Sequence, residues 1–305
     1  MSELKSLIAE ELAQPVDPRV SAFAESIAAQ YGAASRAVLF YGSCLRTTEL
    51  DGQMLDFYLI VSSYEAAYGN SWLVGANRRL PPNVFPAEHG GLVAKVAVLS
   101  ETDFHRLNRI TASAVSVWAR FAQPSRLVWQ ADEAARTQAV EAIAGAPVTL
   151  FDMTFPMMGV DIEYTIADLW KRGFDLTYGA ELRAERKDRS ASVVESDPAR
   201  YARFGPAVVA AIAERDRQRG KKLKIIASRG AVEKRWRELR RNGKILTLAR
   251  LAKASATYAG GIDYLAWKIN RHAGTDYVIR PWQRKWPILG ALVMLPRLIM
   301  GGAIK

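Results

Sequence analysis

Tyr41-Gly42-Ser43 closes an apolar run, and thirteen residues after Ser43 a lone carboxylate, Asp56, sits inside Met54-Leu55-Asp56-Phe57-Tyr58-Leu59-Ile60-Val61. Backbone N–H groups that cradle a phosphate require glycine, because the main chain must approach closely and often at positive φ. An adjacent serine adds a hydroxyl donor and can cap the following helix, whose positive end faces the anion. A carboxylate on a neighbouring strand can then fix Mg²⁺ against the same phosphate oxygens. This is the chemistry of a nucleoside triphosphate site, and on two residue types alone it is a weak signal.

The elements that must position these groups follow from periodicity. Residues 3–32 read as helical, with Leu4, Leu7, Ile8, Leu12, Val20, Phe23 and Ile27 on the apolar face and a break at Pro15 and Pro18. Ala37–Tyr41, Leu55–Ser62 and Leu92–Leu99 are short, apolar and β-branched, which predicts buried strands. If the second strand runs beside the first, Asp56 points at the same crevice as Ser43. Ser100 with Asp103 three residues on predicts a helix start, with the helix running towards Ala122 and stopped by Pro124. Beyond Asp132 the strand signals fade, and 132–144, 161–173, 201–218 and 232–241 read as helices. The boundary between an α/β part and a mostly helical part falls near residues 124–150.

Composition narrows the classes. Half of the 305 residues are apolar, which argues against global disorder. A single cysteine, Cys44, excludes an internal disulfide framework, and three scattered histidines argue against a histidine metal cluster. The first eleven residues lack an apolar core and are acidic, unlike a secretory signal or a transit peptide. Between Glu214 and Lys253 stand fifteen basic side chains against four acidic ones, an excess equal to the whole net charge of +11. Such a block suits an anionic surface, lipid or nucleic acid, or simply a solvated helical face. At the C-terminus Trp282-Gln283-Arg284-Lys285-Trp286-Pro287 precedes an apolar run far short of the ~20 residues a spanning helix needs. Tryptophans beside cations suit an interfacial helix, although a helix packed on the protein's own core fits the same pattern.

The chain resembles the mitochondrial translocator assembly and maintenance family of phosphatidate cytidylyltransferases, and four blocks in the family's order carry the resemblance. Tyr41-Gly42-Ser43 is like its Tyr-Gly-Ser, and Met54-Leu55-Asp56-Phe57 is like its Met-(Leu/Ile)-Asp-Phe strand. Lys95-Val96-Ala97-Val98-Leu99-Ser100, with Trp118-Ala119-Arg120-Phe121-Ala122-Gln123-Pro124 further on, looks like its third strand and the helix end that follows. Leu176-Thr177-Tyr178-Gly179-Ala180-Glu181-Leu182-Arg183 is similar to Leu-Ser-Tyr-x-Gly-Asp-(Ile/Leu)-Arg. Thr257-Tyr258-Ala259-Gly260-Gly261 is a looser echo, so residues 35–275 are covered at low identity.

What the resemblance implies is an α+β chain. A polymerase-β-like nucleotidyltransferase domain with a mixed sheet would span 1–130, a helical domain completing the cleft 131–275, and a membrane-associating C-terminal helix 276–305. The implied reaction is CTP plus phosphatidate to CDP-diacylglycerol and pyrophosphate with Mg²⁺, in phospholipid biosynthesis. The enzyme would work from the cytoplasm as a peripheral protein on the anionic inner face of the membrane. Nucleic acid is not an expected partner on this reading, and a homodimer is compatible with it. Tyr41, Gly42 and Ser43 would contact the nucleotide, and Asp56 would hold the metal. Lys95 and Arg120 would neutralise phosphate charge, while Tyr178, Glu181 and Arg183 would approach a substrate phosphate.

Plain structural roles stand beside these: Lys95 reaching solvent, Arg120 paired with a carboxylate, and Glu181 and Arg183 paired across helices. The chain also departs from the pattern, with Tyr58 where many polymerase-β-like enzymes carry a second carboxylate and Ser62-Ser63 where an acidic pair is common. Glu181 stands for Asp, and the glycine of that block is displaced. A nucleotidyltransferase acting on RNA or another phosphorylated acceptor, and a membrane-bound scaffold with a decayed site, therefore remain open at this level.

Overall fold

A computed structural model describes residues 2–159, 163–181, 193–218, 229–257, 270 and 278–285. The chain starts with helices α1 (Glu3–Leu12) and α2 (Pro18–Tyr31). Asp17 caps α2 by accepting from the Arg19 N–H at 2.8 Å, and Pro18 occupies the first turn, where its missing N–H costs nothing. Strand β1 (Ser35–Tyr41) leads through the one-turn helix α3 (Ser43–Thr47) to β2 (Met54–Val61). Helices α4 (Tyr64–Tyr68) and α5 (Trp72–Arg79) precede the β3 (Asn83–His89) and β4 (Leu92–Ser100) hairpin. After α6 (Glu101–Leu107) and α7 (Trp118–Phe121), β5 (Ser125–Gln130) completes a mixed sheet in the order β3-β4-β2-β1-β5. The rest is helical: α8 (Glu133–Thr154), α9 (Ile166–Tyr178), α10 (Pro198–Gln218), α11 (Arg229–Thr257) and the short α12 (Pro281–Lys285).

The class is α+β, with the sheet in the first part of the chain and helices beyond it. Strand β2 is sandwiched, pairing antiparallel with β1 and parallel with β4. On one face Leu55, Phe57, Leu59 and Val61 join Phe23 and Ile27 of α2 in one core cluster. On the other, Tyr58 and Ile60 join Leu39, Leu99 and the apolar faces of α1, α8, α9, α10 and α11 in a larger cluster. Burial of one side chain such as Phe57 contributes about 2–3 kcal/mol, so the near-continuous apolar run of a strand packed on both faces is expected.

Three sequence expectations change. The helix expected from Ser100 towards Ala122 is two pieces, although Ser100 does cap the first by accepting from the Asp103 N–H at 3.2 Å. The break falls at Asn108, whose side chain donates to the Phe104 carbonyl at 2.9 Å and whose own carbonyl accepts from Thr149 Oγ1 at 3.0 Å. A Cβ on Gly145 would come within 2.9 Å of that carbonyl, so α8 closes directly on the turn. Strand β3 escapes a reading of the sequence because Pro81 and Pro82 precede it and Pro86 lies within it, and Pro86 is tolerated because β3 is an edge. Strand β5 is the opposite edge, and its half-buried residues show little alternation.

The helical layer is fixed by a buried ion pair. Arg200 of α10 and Glu11 of α1 have side chains only 8% exposed, and Arg200 Nη2 donates to Glu11 Oε1 at 3.0 Å. Arg200 Nε donates to the other carboxylate oxygen, and Nη1 to the Ala122 carbonyl at 3.2 Å, so the pair ties α1, α10 and the end of α7. Removing one partner strands a buried charge. Glu11→Ala is therefore expected to lower the unfolding free energy by about 3–5 kcal/mol, read from the midpoint of a denaturant titration.

Candidate functional site

Strand register builds the site in two rows on the face of the larger core cluster. Tyr41, Asp56, Lys95 and Pro86 form one row across β1, β2, β4 and β3, and Leu39, Tyr58, Ala97 and Val84 form the next. Asp56 does run beside Tyr41, as expected. The helical layer stands away from these rows and leaves a cavity of about 310 Å³. Lining it are Tyr41, Asp56, Tyr58 and Lys95 from the sheet, with Ser116, Arg120, Glu181, Thr247 and Arg250 from the covering layer.

Gly42 has φ +98°, in the left-handed region that favours glycine, and a Cβ there would lie 3.0 Å from Asp56 Oδ2. The glycine thus leaves room for the carboxylate at the rim. Ser43 starts the one-turn helix and is exposed, and it does not line the cavity. Cys44, the free cysteine, is buried below it.

Arg120 is held from several sides. Its Nη1 donates to the Ser116 carbonyl, and it lies 3.8 Å from Glu181 Oε1. Burial pulls its pKa down, but Glu181, Tyr58, Tyr41 and Asp56 face it and together hold it above the usual guanidinium value. Burial raises the hydroxyl pKa of both tyrosines, with Asp56 adding to the rise at Tyr41. Tyr58 is 3% exposed and packs on Tyr41 and Phe121 with ring centroids 5.2 Å away in each case.

The structure thus brings Tyr41, Asp56, Lys95, Arg120 and Glu181 together. Tyr178 lies on α9 outside the cavity lining, packed against the core, and Arg183 lies outside the described residues.

Ser116, Thr247 and Arg250 were missed by sequence reasoning. Arg250 donates from Nε to the Pro81 carbonyl and from Nη1 to Ser116 Oγ, both at 3.0 Å. Burial lowers its pKa, with Tyr58 and Glu181 opposing. One turn on, Lys253 Nζ donates to the Leu80 and Pro82 carbonyls. Helix α11 therefore grips the three consecutive carbonyls that precede β3. A signal for Arg250 existed, since Trp236, Gly243 and Arg250 share a seven-residue spacing that places it on the buried face of α11.

The donor set suits one Mg²⁺ better than two. Mg²⁺ is commonly held by one or two carboxylates plus water and substrate phosphates. Asp56 and Glu181 face a common cavity, and among the described residues no group of three or more His, Cys, Asp or Glu could hold a metal. Three cations against two carboxylates leave the lining suited to an anion.

Comparison of the chain with protein-family models and with curated proteins returned no match.

Two outcomes test this geometry. Gly42→Ala should cost about 1–3 kcal/mol in unfolding free energy and exceed Gly90→Ala. Gly90 shares a positive φ (+56°), but a Cβ there would meet nothing within 4 Å, so the excess reads the Asp56 contact together with the glycine-only backbone of Gly42 at φ +98°, ψ −158°. Burial, reinforced by Arg250, pushes the folded Lys253 ammonium from 10.5 down to about 7. Between those values the unfolded chain binds more protons, so this group makes stability rise with pH from about 7 to 10.5. Stability measured across that window should lose the rise in Lys253→Met.

Proposed function

We propose that the chain is a nucleotidyltransferase that moves a cytidylyl group from CTP to the phosphate of a lipid acceptor, phosphatidate. The reading rests above all on one juxtaposition. Gly42 lies against Asp56, Asp56 lies beside Lys95 on the next strand, and Arg120 faces that row across the cavity. The mixed sheet, with β1 antiparallel and β4 parallel to β2, supports a polymerase-β-like domain for residues 1–130.

In this reading Gly42 and Ser43 hold the triphosphate at the sheet rim. Mg²⁺, when bound by Asp56 with the nucleotide phosphates, supplies charge neutralisation at the reacting phosphate. An oxygen of the acceptor phosphomonoester attacks the α-phosphorus and forms a new P–O bond. The bond from the α-phosphorus to the bridging oxygen breaks, and pyrophosphate leaves with its electron pair. A phosphomonoester is largely ionised near neutral pH, so no strong protein base is needed. Lys95 and Arg120 meet the charge gathering on the leaving group, which makes positioning and electrostatics the main contribution.

A lipid surface is supported by α11. Lys234, Arg237, Arg240, Arg241 and Lys244 are exposed and fall within one sector of the helix, and none forms an ion pair among the described residues. Other cations of the basic block are engaged in the fold: Arg215 with Asp152 and Asp216, Arg235 with the Ala112 carbonyl, and Arg250 and Lys253 as above. Arg219, Lys221, Lys222 and Lys224 lie outside the described residues. Trp282 is 41% exposed, whereas Trp286 and the following segment of the expected anchor lie outside the described residues. Among the described residues no helix is long and apolar enough to cross a membrane.

A second reading, a nucleotide-binding scaffold without transfer, is favoured by Tyr58, which puts an apolar-packed ring where a further metal ligand would help catalysis. Purified protein with Mg²⁺, labelled CTP and phosphatidate in mixed micelles is expected to form CDP-diacylglycerol, and Asp56→Asn to lower the rate by roughly 100-fold or more. Absence of product with every divalent metal tried, while CTP still raises the melting temperature, would instead select the scaffold.

A further inference from the structure

The two arginines of the cavity converge on one residue. Arg120 Nη1 donates to the Ser116 carbonyl, and Arg250 Nη1 donates to the Ser116 hydroxyl at 3.0 Å. Like charges brought this close in a largely buried setting repel, and the repulsion is strong because little water screens it. Glu181, 3.8 Å from Arg120, offsets one of them. Arg250 spends Nε on the Pro81 carbonyl and one Nη1 hydrogen on Ser116, and its Nη2 makes no hydrogen bond among the described residues. A guanidinium fixed at two nitrogens with a further donor edge is prepared for a planar, multidentate anion contact.

The position of that edge is distinct from the rim of Gly42 and Asp56. Asp56 and Lys95 occupy one cross-strand row, and Tyr58 occupies the next row on the same face. Successive same-face residues of a strand lie roughly 7 Å apart. Arg120 faces both rows, since Tyr41, Asp56 and Tyr58 all act on it, and Arg250 is acted on by Tyr58 of the second row and by Glu181. A spacing of that size separates two phosphate groups placed side by side.

We propose that Arg250, aimed by Ser116, forms a phosphomonoester subsite beside Tyr58 that takes the acceptor's phosphate and not the triphosphate of the nucleotide, with Arg120 standing between the two. The proposal rests on the nucleotidyl-transfer reading for the word acceptor, but the subsite itself is a statement about anion binding. A phosphomonoester dianion brings negative charge to a lining in which Lys95, Arg120 and Arg250 stand against Asp56 and Glu181. Held there, it stands next to the position that Asp56 and Gly42 give the nucleotide, as in-line attack demands. Arg250 acts on substrate in this scheme, and Ser116 is a positioning residue.

Isothermal titration of the full chain with glycerol 3-phosphate, and separately with Mg²⁺-CTP, tests it. Wild type is expected to bind glycerol 3-phosphate without nucleotide. Arg250→Met should weaken that binding at least tenfold and change CTP affinity by less than twofold. Equal loss for both ligands would put Arg250 at the triphosphate and overturn the subsite, as would unchanged glycerol 3-phosphate binding or no binding by wild type. If Arg250→Met fails to fold, Ser116→Ala decides. It keeps the Pro81 contact and should weaken glycerol 3-phosphate several-fold while leaving CTP alone, and an unchanged affinity overturns the proposal. Wild type that binds glycerol 3-phosphate through Arg250 but neither binds nor turns over CTP would sink the nucleotidyltransferase reading and leave the subsite standing.

Discussion

Everything at the site depends on β2 being buried on both faces. A one-residue slip of β2 would drive Leu55, Phe57 and Leu59 out of one core and Asp56 into it, which fixes the register. Alternation therefore locks Asp56, Tyr58 and Ile60 to the same side. Ile60 is in the core, Tyr58 forms the floor of the cavity and Asp56 reaches its rim. The neighbouring strands inherit their phase from β2, which is why Tyr41 and Lys95 flank the carboxylate.

The covering layer is held at a definite height by close backbone contacts. A Cβ on Gly243 would lie 2.1 Å from the Ala180 carbonyl, so α11 crosses directly over the residue before Glu181. A Cβ on Gly205 would similarly strike Ile166 Cγ2 at 2.1 Å, which brings α10 against the start of α9. These glycines set how near Glu181 and Arg250 come to the sheet. Farther away, the Glu11–Arg200 pair joins the first helix to the same layer, so the sheet and the helices share one core.

Much of the fold was legible because its signals are local. The phase of β1, β2 and β4, the Ser100 cap and the helical character beyond Asp132 follow from apolar spacing and hydrogen-bonding side chains within a few residues. Asp132 indeed caps α8 by accepting from the Ala135 N–H at 2.7 Å. Strand β3 was hidden by its prolines, because edge position is decided by the rest of the sheet. The helix break at Asn108 was hidden for a similar reason, since the turn is stabilised by Thr149, forty-one residues away.

The site divides the same way. Sequence by itself determined the Gly42–Asp56 pair and its strand context, since both come from adjacent elements whose period dictates facing. It also placed Lys95, Arg120 and Glu181 among the residues worth watching. Only the tertiary structure decided that Arg250 joins them, that Ser43 stays outside the lining, and that Tyr58 is packed against aromatic rings. A basic block in a sequence records charge without direction. Helix α11 turns Lys234, Arg237 and Lys244 outward and Arg250 inward because Trp236 and Leu239 must be buried, and that constraint exists only once there is a core to receive them.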